Sequence, residues 1–134
     1  MKIAVCIDDN GGMLFNKRRQ SRDKVLLADL MQLSEKVCIH SFSEKLFAEY
    51  AEHVTVNETF LEDAQEEDLC FVENQLLKPY EAKINQLIVY KWNRVYPSDF
   101  RLDLDLNEWE LQEQLEFAGS SHEKITREIY HRGE

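Results

Sequence analysis

The stretch EWELQEQLEFAGSSHEKITREIYHR, residues 108–132, contains the clearest structural signal in the chain. Its first half alternates apolar and polar residues, which is typical of a β-strand with one buried and one wet face. The apolar side chains of the stripe are Trp109, Leu111, Leu115 and Phe117. AGSSH then predicts a turn and EKITREIYHR a returning strand, so the whole stretch predicts an antiparallel hairpin. The apolar stripe belongs either to the core or, at an open sheet edge, to a face between two copies of the chain.

The residues before this hairpin alternate between apolar strands and amphipathic helices. Strands are predicted at 2–7, 37–42, 54–56, 69–72 and 86–92, and helical segments at 21–36, 43–53, 60–68 and 73–79. Ser21 is the expected N-cap of the first helix, and Asp23 falls in its first turn, where the helix dipole favours an acid. This alternation predicts one α/β domain over residues 1–134, a three-layer structure with helices on both faces of a mostly parallel central sheet.

The charge of the chain is strongly acidic except in one segment. The formal net charge of the 134 residues is −10, yet residues 16–24 contain five basic residues and one acid, a net charge of +4. The other residues therefore carry −14, which repels nucleic acid and anionic lipid at long range. No apolar run is long enough to cross a membrane, and the first residues lack the pattern of a secretory signal. We expect a cytoplasmic protein with neither membrane nor nucleic acid as a partner.

The basic segment 16–24 is the main functional clue. It follows the first predicted strand, and ligands of open α/β sheets bind beyond the carboxyl ends of the strands. Glycines in this connection permit unusual backbone conformations, the helix start adds free N–H groups, and arginine suits phosphate or carboxylate. The predicted ligand-binding residues are Gly11, Gly12, Lys17, Arg18, Arg19 and Arg22. The alternative is a solvated loop whose arginines pair with the acidic surface.

The cysteines and histidines show no metal-binding pattern. Cys6, Cys38 and Cys70 each lie inside a predicted strand, where cysteine commonly serves as a small buried hydrophobe. A redox or metal role would require two of them to be accessible neighbours on adjacent strands. The four histidines are scattered without ligand spacing, so we expect no metal site.

The order of these elements resembles that of the dihydrofolate reductases. At the C-terminal end the resemblance is carried by LIVYKW (87–92), DFRLDLDLNEW (99–109) and the returning strand with Tyr130 and Arg132. Nearer the start it is carried by IAVCIDDNGGML (3–14), SRDKVLLADL (21–30) and DLCFVENQLL (68–77). The resemblance implies that family's α/β fold, NADPH bound across the strand ends, and a pterin held by one carboxylate at the start of the first helix. By position Asp23 would be that catalytic carboxylate. Its alternative role is that of an acid stabilising the helix start.

Three departures from the family's pattern argue against a retained reductase. The family's Gly-Gly pair after strand 69–72 is replaced by Glu73 and Asn74, and a carboxylate there would repel the cofactor phosphate. The apolar Leu-Pro-Trp before the acid-bearing helix is replaced by RRQ, residues 18–20. HSFS, residues 40–43, stands where the family has a cation for the cofactor phosphate.

We therefore hypothesise a protein with a dihydrofolate reductase-like scaffold, without NADPH, that binds an anionic small molecule at the basic segment. The acidic face of a second copy could replace that molecule, so a homo-oligomer is a related alternative. A divergent NADPH-dependent reductase of a pterin-like substrate, using Asp23, is the second hypothesis. A two-metal hydrolase of the ribonuclease Z kind is the third. The chain lacks the His-x-His-x-Asp-His cluster that would hold the two metals of such an enzyme.

Overall fold

Ten β-strands and two α-helices make up the regular structure of residues 1–132, the part of the chain described by a computed structural model. The strands are β1 (Lys2–Ile7), β2 (Gly12–Phe15), β3 (Arg18–Arg19), β4 (Val37–Ile39), β5 (Val54–Val56), β6 (Leu69–Phe71), β7 (Gln86–Lys91), β8 (Phe100–Arg101), β9 (Trp109–Phe117) and β10 (Ile125–Arg132). The α-helices are α1 (Lys24–Leu33) and α2 (Phe60–Asp63), and 3₁₀ segments span Ser41–His53, Lys78–Lys83 and Leu106–Glu108.

Seven of the strands form one sheet in the order β5-β4-β6-β1-β7-β10-β9. The first five of these run parallel, β10 is antiparallel to β7, and β9 is antiparallel to β10. This arrangement confirms the predicted parallel sheet completed by a C-terminal hairpin. A second sheet, of β3, β2 and β8, was not anticipated from the sequence.

Each face of the large sheet is covered by its own apolar core. Ala4 of β1 faces the side on which Leu26 and Leu30 of α1 are buried. Val5, the next residue of β1, faces the other side, where Phe60 of α2 is buried. Because successive side chains of a strand point to opposite faces, both cores use β1, and the three predicted layers are confirmed.

The helical segments differ from their predicted bounds. Asp23, rather than Ser21, is the N-cap of α1, with an extended backbone and its side chain bonded to the first-turn amides. Segment 41–53 is 3₁₀ with non-helical backbone at Phe47 and Tyr50. The helix predicted over 73–79 is wrong. Residues 73–77 are irregular, and helical structure begins only at Lys78, with proline in its first turn.

The apolar stripe predicted along β9 is divided by a β-bulge. Ile129 pairs with Glu113, but the next residue, Tyr130, pairs with Leu111, so Gln112 has no partner. One extra residue reverses the alternation, because side chains of a strand change face at every position. Trp109 therefore packs in the core of one face, and Phe117 packs against the core of the other.

The prediction of a single apolar face on β9 was thus wrong. The strand does form an open edge of the large sheet. Leu111 and Leu115, on opposite faces, are 49% and 42% exposed. Over residues 1–132 no helix has the length and apolar character to cross a bilayer.

Candidate functional site

The basic segment 16–24 starts as a tight β-hairpin. Strands β2 and β3 pair with each other, and Asn16 and Lys17 connect them with φ angles of 51° and 62°. Positive φ at both central residues is typical of the type I′ turn, whose twist matches that of the flanking strands. The side chains of Lys17 and Arg18, at this turn, are exposed.

The two glycines before this hairpin serve the connection between β1 and β2. Gly11 has a φ of +75°, which favours glycine. At Gly12 an added Cβ would lie 2.5 Å from Cβ of Ser98, and the Gly12 amide donates to Oδ1 of Asp8 at 2.7 Å. Neither glycine lines the cleft formed by the basic side chains. Their predicted contact with a ligand stays a prediction.

Most of the basic side chains surround one open cleft, here called the cationic cleft. Its volume is 460 Å³, and it is lined by Lys17, Arg18, Arg19, Ser21, Arg22 and Phe42. Within residues 1–132, Lys17, Arg18 and Arg22 take part in no salt bridge. All three side chains are exposed, as the alternative of a solvated loop expects, but the described residues show no pairing of them with the acidic surface.

Arg19 differs from its neighbours because it is paired inside the protein. Its Nε lies 2.8 Å from Oε2 of Glu73, and its Nη2 lies 2.9 Å from Oε1. Ser43 Oγ donates to the same Oε1 at 2.7 Å, and the Arg19 guanidinium lies 5.4 Å from the centre of the Phe42 ring. The hydrogen bonds that Arg19 donates to the Glu73 carboxylate raise the pKa of Arg19. The carboxylate that follows β6 is therefore already engaged by the chain itself.

The space behind this ion pair is nearly closed. A cavity of only 20 Å³ remains between β1, β6 and α1, and its lining includes Cys6, Arg19, Asp23, Glu73 and Trp92. That volume suffices for about one water molecule, whereas pockets for small organic ligands measure roughly 300–1,000 Å³.

Asp23 connects the start of α1 to the turn between β9 and β10. Its carboxylate is fully buried and accepts five hydrogen bonds, at 2.8–3.2 Å. The donors are the backbone N–H groups of Val25, Leu26, Ser120 and Ser121 and the Nδ1 of His122. Burial acts to raise the pKa of Asp23, but the hydrogen bonds outweigh it and hold that pKa well below its usual range.

Gly119 makes room for this carboxylate. A Cβ at residue 119 would lie 2.3 Å from Oδ2 of Asp23, closer than any real contact. The glycine in the turn AGSSH is therefore needed for close approach.

His122 extends the network from Asp23 to Ser21. Its Nε2 lies 3.1 Å from Oγ of Ser21 and 3.0 Å from the hydroxyl of Tyr96. The imidazole is buried and stacks on Trp92, with ring centroids 4.5 Å apart at an interplanar angle of 25°. Sequence reasoning missed His122, because only the folded chain places it beside residues 101 and 99 positions away.

The similarity of this chain to known proteins lies in its architecture. A solved structure of a dihydrofolate reductase from Enterococcus faecalis, described as complexed with NADP(H) and RAB-propyl, matches it with a TM-score of 0.70. The match covers 100% of this chain and 97% of that one. The chain has the dihydrofolate reductase fold. Only 13% of the aligned residues are identical, so the match shows the fold alone. No family model and no curated protein matches the sequence.

The dihydrofolate reductase fold accounts for the resemblance seen in the sequence. Asp23 does lie at the start of the first helix, as the resemblance implied, and it is the N-cap of that helix. All five of its hydrogen-bond donors come from the chain itself. Its role as a catalytic carboxylate stays a prediction.

Two of the cysteines are neighbours on this dihydrofolate reductase fold. Cys38 of β4 and Cys70 of β6 are register partners, and both thiols are free. Cys70 is completely buried, and its hydrogen bond with Cys38 raises its pKa. The two thiols are neighbours on adjacent strands, which is one of the two conditions for a redox role. They are not both accessible, so the other condition is not met. Over residues 1–132 no group of three or more His, Cys, Asp or Glu side chains could hold a metal ion.

Proposed function

We propose that this protein binds small phosphate- or carboxylate-bearing molecules in the cationic cleft, on a dihydrofolate reductase scaffold that no longer binds NADPH. The observation that carries the proposal is the group of Lys17, Arg18 and Arg22. These three cations surround one 460 Å³ cleft without an acidic partner in residues 1–132, on a protein of formal charge −10. An acidic protein that leaves neighbouring cations unpaired holds them available for an anion from solution.

The cleft has features that suit a small anion. Arg19 is held in place by Glu73, so its guanidinium forms a fixed wall. The type I′ turn fixes the backbone at Lys17, and the volume of 460 Å³ falls within the range of small-molecule pockets. Phe42 adds an apolar wall. A phosphate or carboxylate attached to a small flat group therefore matches the lining better than a bare ion.

The surrounding charge favours small anions over polyanions. The −14 carried by the rest of the chain repels nucleic acid over distances beyond the cleft, whereas a small ligand meets mainly the local +4.

Loss of NADPH binding is supported by Glu73 and by the closed space behind it. By the resemblance seen in the sequence, the buried Glu73 carboxylate stands where the dihydrofolate reductases have glycine, and the cavity beside it measures 20 Å³. These residues fit a dinucleotide poorly, because a phosphate would meet the Glu73–Arg19 pair instead of free backbone N–H groups and the cavity behind the pair admits about one water molecule.

Isothermal titration calorimetry of the purified protein tests the proposal. The probes are inorganic phosphate, pyrophosphate and adenosine monophosphate, with NADPH fluorescence measured in parallel. We expect at least one anion to bind, and we expect Arg18→Ala combined with Arg22→Ala to weaken binding at least about tenfold, because each charged hydrogen bond contributes about 1.5–3 kcal/mol. Arg94→Ala is the matched control, since Arg94 is exposed and lies outside the cleft.

Three outcomes would contradict the proposal. The first is no heat with any of the anions, and the second is equal binding by the double variant and the wild type. The third is a fluorescence change of NADPH with micromolar protein, which would favour the reductase hypothesis instead. Salt-sensitive self-association in sedimentation, without anion binding, would favour the acidic face of a second copy as the partner.

A further inference from the structure

Ser21, His122 and Asp23 are connected by hydrogen bonds in the order found in serine hydrolases. We propose that Ser21 is a nucleophile, that His122 is its general base, and that the site cleaves carboxylic esters bearing an anionic group. The preference for an anionic ester rests on the proposed function of the cationic cleft. The nucleophilic character of Ser21 rests only on the geometry of the three side chains.

The contacts assign distinct roles to the two imidazole nitrogens. Nδ1 of His122 lies 3.1 Å from Oδ2 of Asp23, so the proton of a neutral imidazole belongs on Nδ1. The lone pair of Nε2 then faces Oγ of Ser21 at 3.1 Å. This is the tautomer in which the histidine accepts a serine proton.

The surroundings keep this arrangement rigid. Asp23 is a positioning residue, since its hydrogen bonds with the Ser120 and Ser121 amides hold it ionised beside the imidazole. Stacking on Trp92 fixes the plane of the His122 ring. Tyr96, whose hydroxyl also lies 3.0 Å from Nε2, shares that nitrogen with Ser21 and can accept a hydrogen bond from the imidazolium.

The nucleophile is reachable from solvent because Ser21 lines the cationic cleft. Arg22, the next residue in the chain, lines the same cleft and takes part in no salt bridge over residues 1–132. Its guanidinium is therefore available to the negative charge that develops on the ester carbonyl oxygen. The remaining cations of the cleft are available to a carboxylate or phosphate elsewhere in the substrate.

The proposed reaction needs only the ester and water. Oγ of Ser21 bonds to the carbonyl carbon while its proton moves to Nε2 of His122, and the ester C–O bond breaks as that proton passes to the leaving alcohol. Water then attacks the acyl-serine, giving its proton to Nε2. The Ser21–acyl bond breaks, and the proton returns to Oγ, releasing a carboxylic acid.

Reaction of the purified protein with a fluorescent fluorophosphonate tests the nucleophile. We expect one covalent label, located at Ser21 by peptide mass spectrometry and absent from Ser21→Ala. His122→Asn is expected to slow labelling at least about 100-fold, since general-base assistance contributes about 10²–10⁴-fold. The matched control is Ser41→Ala, which removes an exposed serine outside the network and should label like the wild type.

Two further measurements keep the test decisive if His122→Asn fails to fold. The labelling rate of the wild type should rise with pH, because a general base accepts the serine proton only in its unprotonated form, and hydrolysis of mono-p-nitrophenyl succinate should exceed that of p-nitrophenyl acetate. A label elsewhere than Ser21, no label, or a rate independent of pH would overturn the proposal. Anion binding without labelling contradicts only the nucleophile. Labelling without anion binding or preference for the charged ester supports the nucleophile, but it contradicts the function proposed for the cleft and the anionic substrate that rests on it.

Discussion

Gly119 offers a direct test of the connection between α1 and the turn that joins β9 to β10. In Gly119→Ala the new Cβ would lie 2.3 Å from Oδ2 of Asp23, and the contact must lengthen by at least 0.7 Å to reach the 3.0 Å limit of real Cβ contacts. A displacement of that size stretches the bond that Oδ2 accepts from the Ser121 amide, at 2.8 Å, to about the limit of hydrogen bonding, and it stretches the bond from His122, at 3.1 Å, beyond that limit.

The expected cost follows from those two bonds. A hydrogen bond to a charged group contributes about 1.5–3 kcal/mol, and weakening both should cost about 2–4 kcal/mol. Alanine has less conformational freedom than glycine in the unfolded chain, which stabilises the folded variant by about 0.4–1 kcal/mol and offsets part of that cost. The offset applies here because residue 119 needs no positive φ. We expect a net loss of about 2–3 kcal/mol in the free energy of unfolding, or a decrease in Tm of about 6–12 °C.

Urea unfolding followed by tryptophan fluorescence measures this loss. Trp92 reports on the site because it stacks on His122. The control is the same substitution in an Asp23→Ser background, where a shorter side chain still caps α1 but leaves space for the Cβ. There Gly119→Ala should cost about 2 kcal/mol less than in the wild type, and that difference is the interaction energy of the two positions. The new Cβ would also lie 2.8 Å from Cδ1 of the buried Ile125, but this contact is the same in both backgrounds and does not enter the interaction energy.

Equal costs in the two backgrounds would refute this reasoning. So would a Gly119→Ala protein whose urea midpoint matches that of the wild type. Either result would mean that Asp23 does not hold the turn against α1.

Acid should weaken the fold through Asp23, whose pKa is lowered in the folded state. The contribution is present at neutral pH and is lost progressively as the pH falls below about 4, so the urea midpoints of the wild type and Asp23→Ser should approach each other as the solution is acidified. Arg19→Leu should cost about 2–3 kcal/mol in urea unfolding because it leaves Glu73 buried without a cation, and a second change, Glu73→Leu, should recover most of that loss. Deleting Gln112 removes the bulge and moves the buried Trp109 to the opposite face, which should lower thermal stability by about 3 kcal/mol or more.

Each of these results has a counterpart that would contradict it. Parallel pH profiles for the wild type and Asp23→Ser would place the acid-sensitive group elsewhere. If the protein with both Arg19→Leu and Glu73→Leu were as unstable as Arg19→Leu alone, packing and not charge would account for the stability of this region. Unchanged stability after deletion of Gln112, with the Trp109 fluorescence of a buried indole, would show that the bulge does not determine the faces of β9.

The local pattern of apolar and polar residues was enough to predict where most strands lie in the sequence. The apolar run 2–7 and the alternation in 108–132 depend on neighbours one or two positions apart, and the structure confirms a strand at each. The predicted helix over 73–79 failed for a different reason. Its later residues are held by a distant partner, because the Leu77 and Lys78 amides donate to the Asp103 carboxylate.

The sequence predicted the positive charge of the candidate site but not the ion pairs and hydrogen bonds that its residues form. The segment 16–24 was recognised from its five basic residues. Nothing in that segment distinguishes Arg19, which is paired with Glu73 54 positions away, from Arg18, which makes no salt bridge within residues 1–132. Likewise the helix start predicted a role for Asp23 but not its bond to His122.

The sequence by itself determined the order of strands and helices and the place of the positive charge, because both follow from residues adjacent in the chain. Tertiary structure decided which cations make no salt bridge within residues 1–132 and to which side of the sheet each half of β9 turns its apolar side chains. It also brought Ser21, His122 and Asp23 within hydrogen-bonding distance. Those outcomes depend on contacts between segments that lie from about 20 to about 100 positions apart in the chain. Such contacts become favourable only after the sheet has brought the segments together, so no local pattern records them.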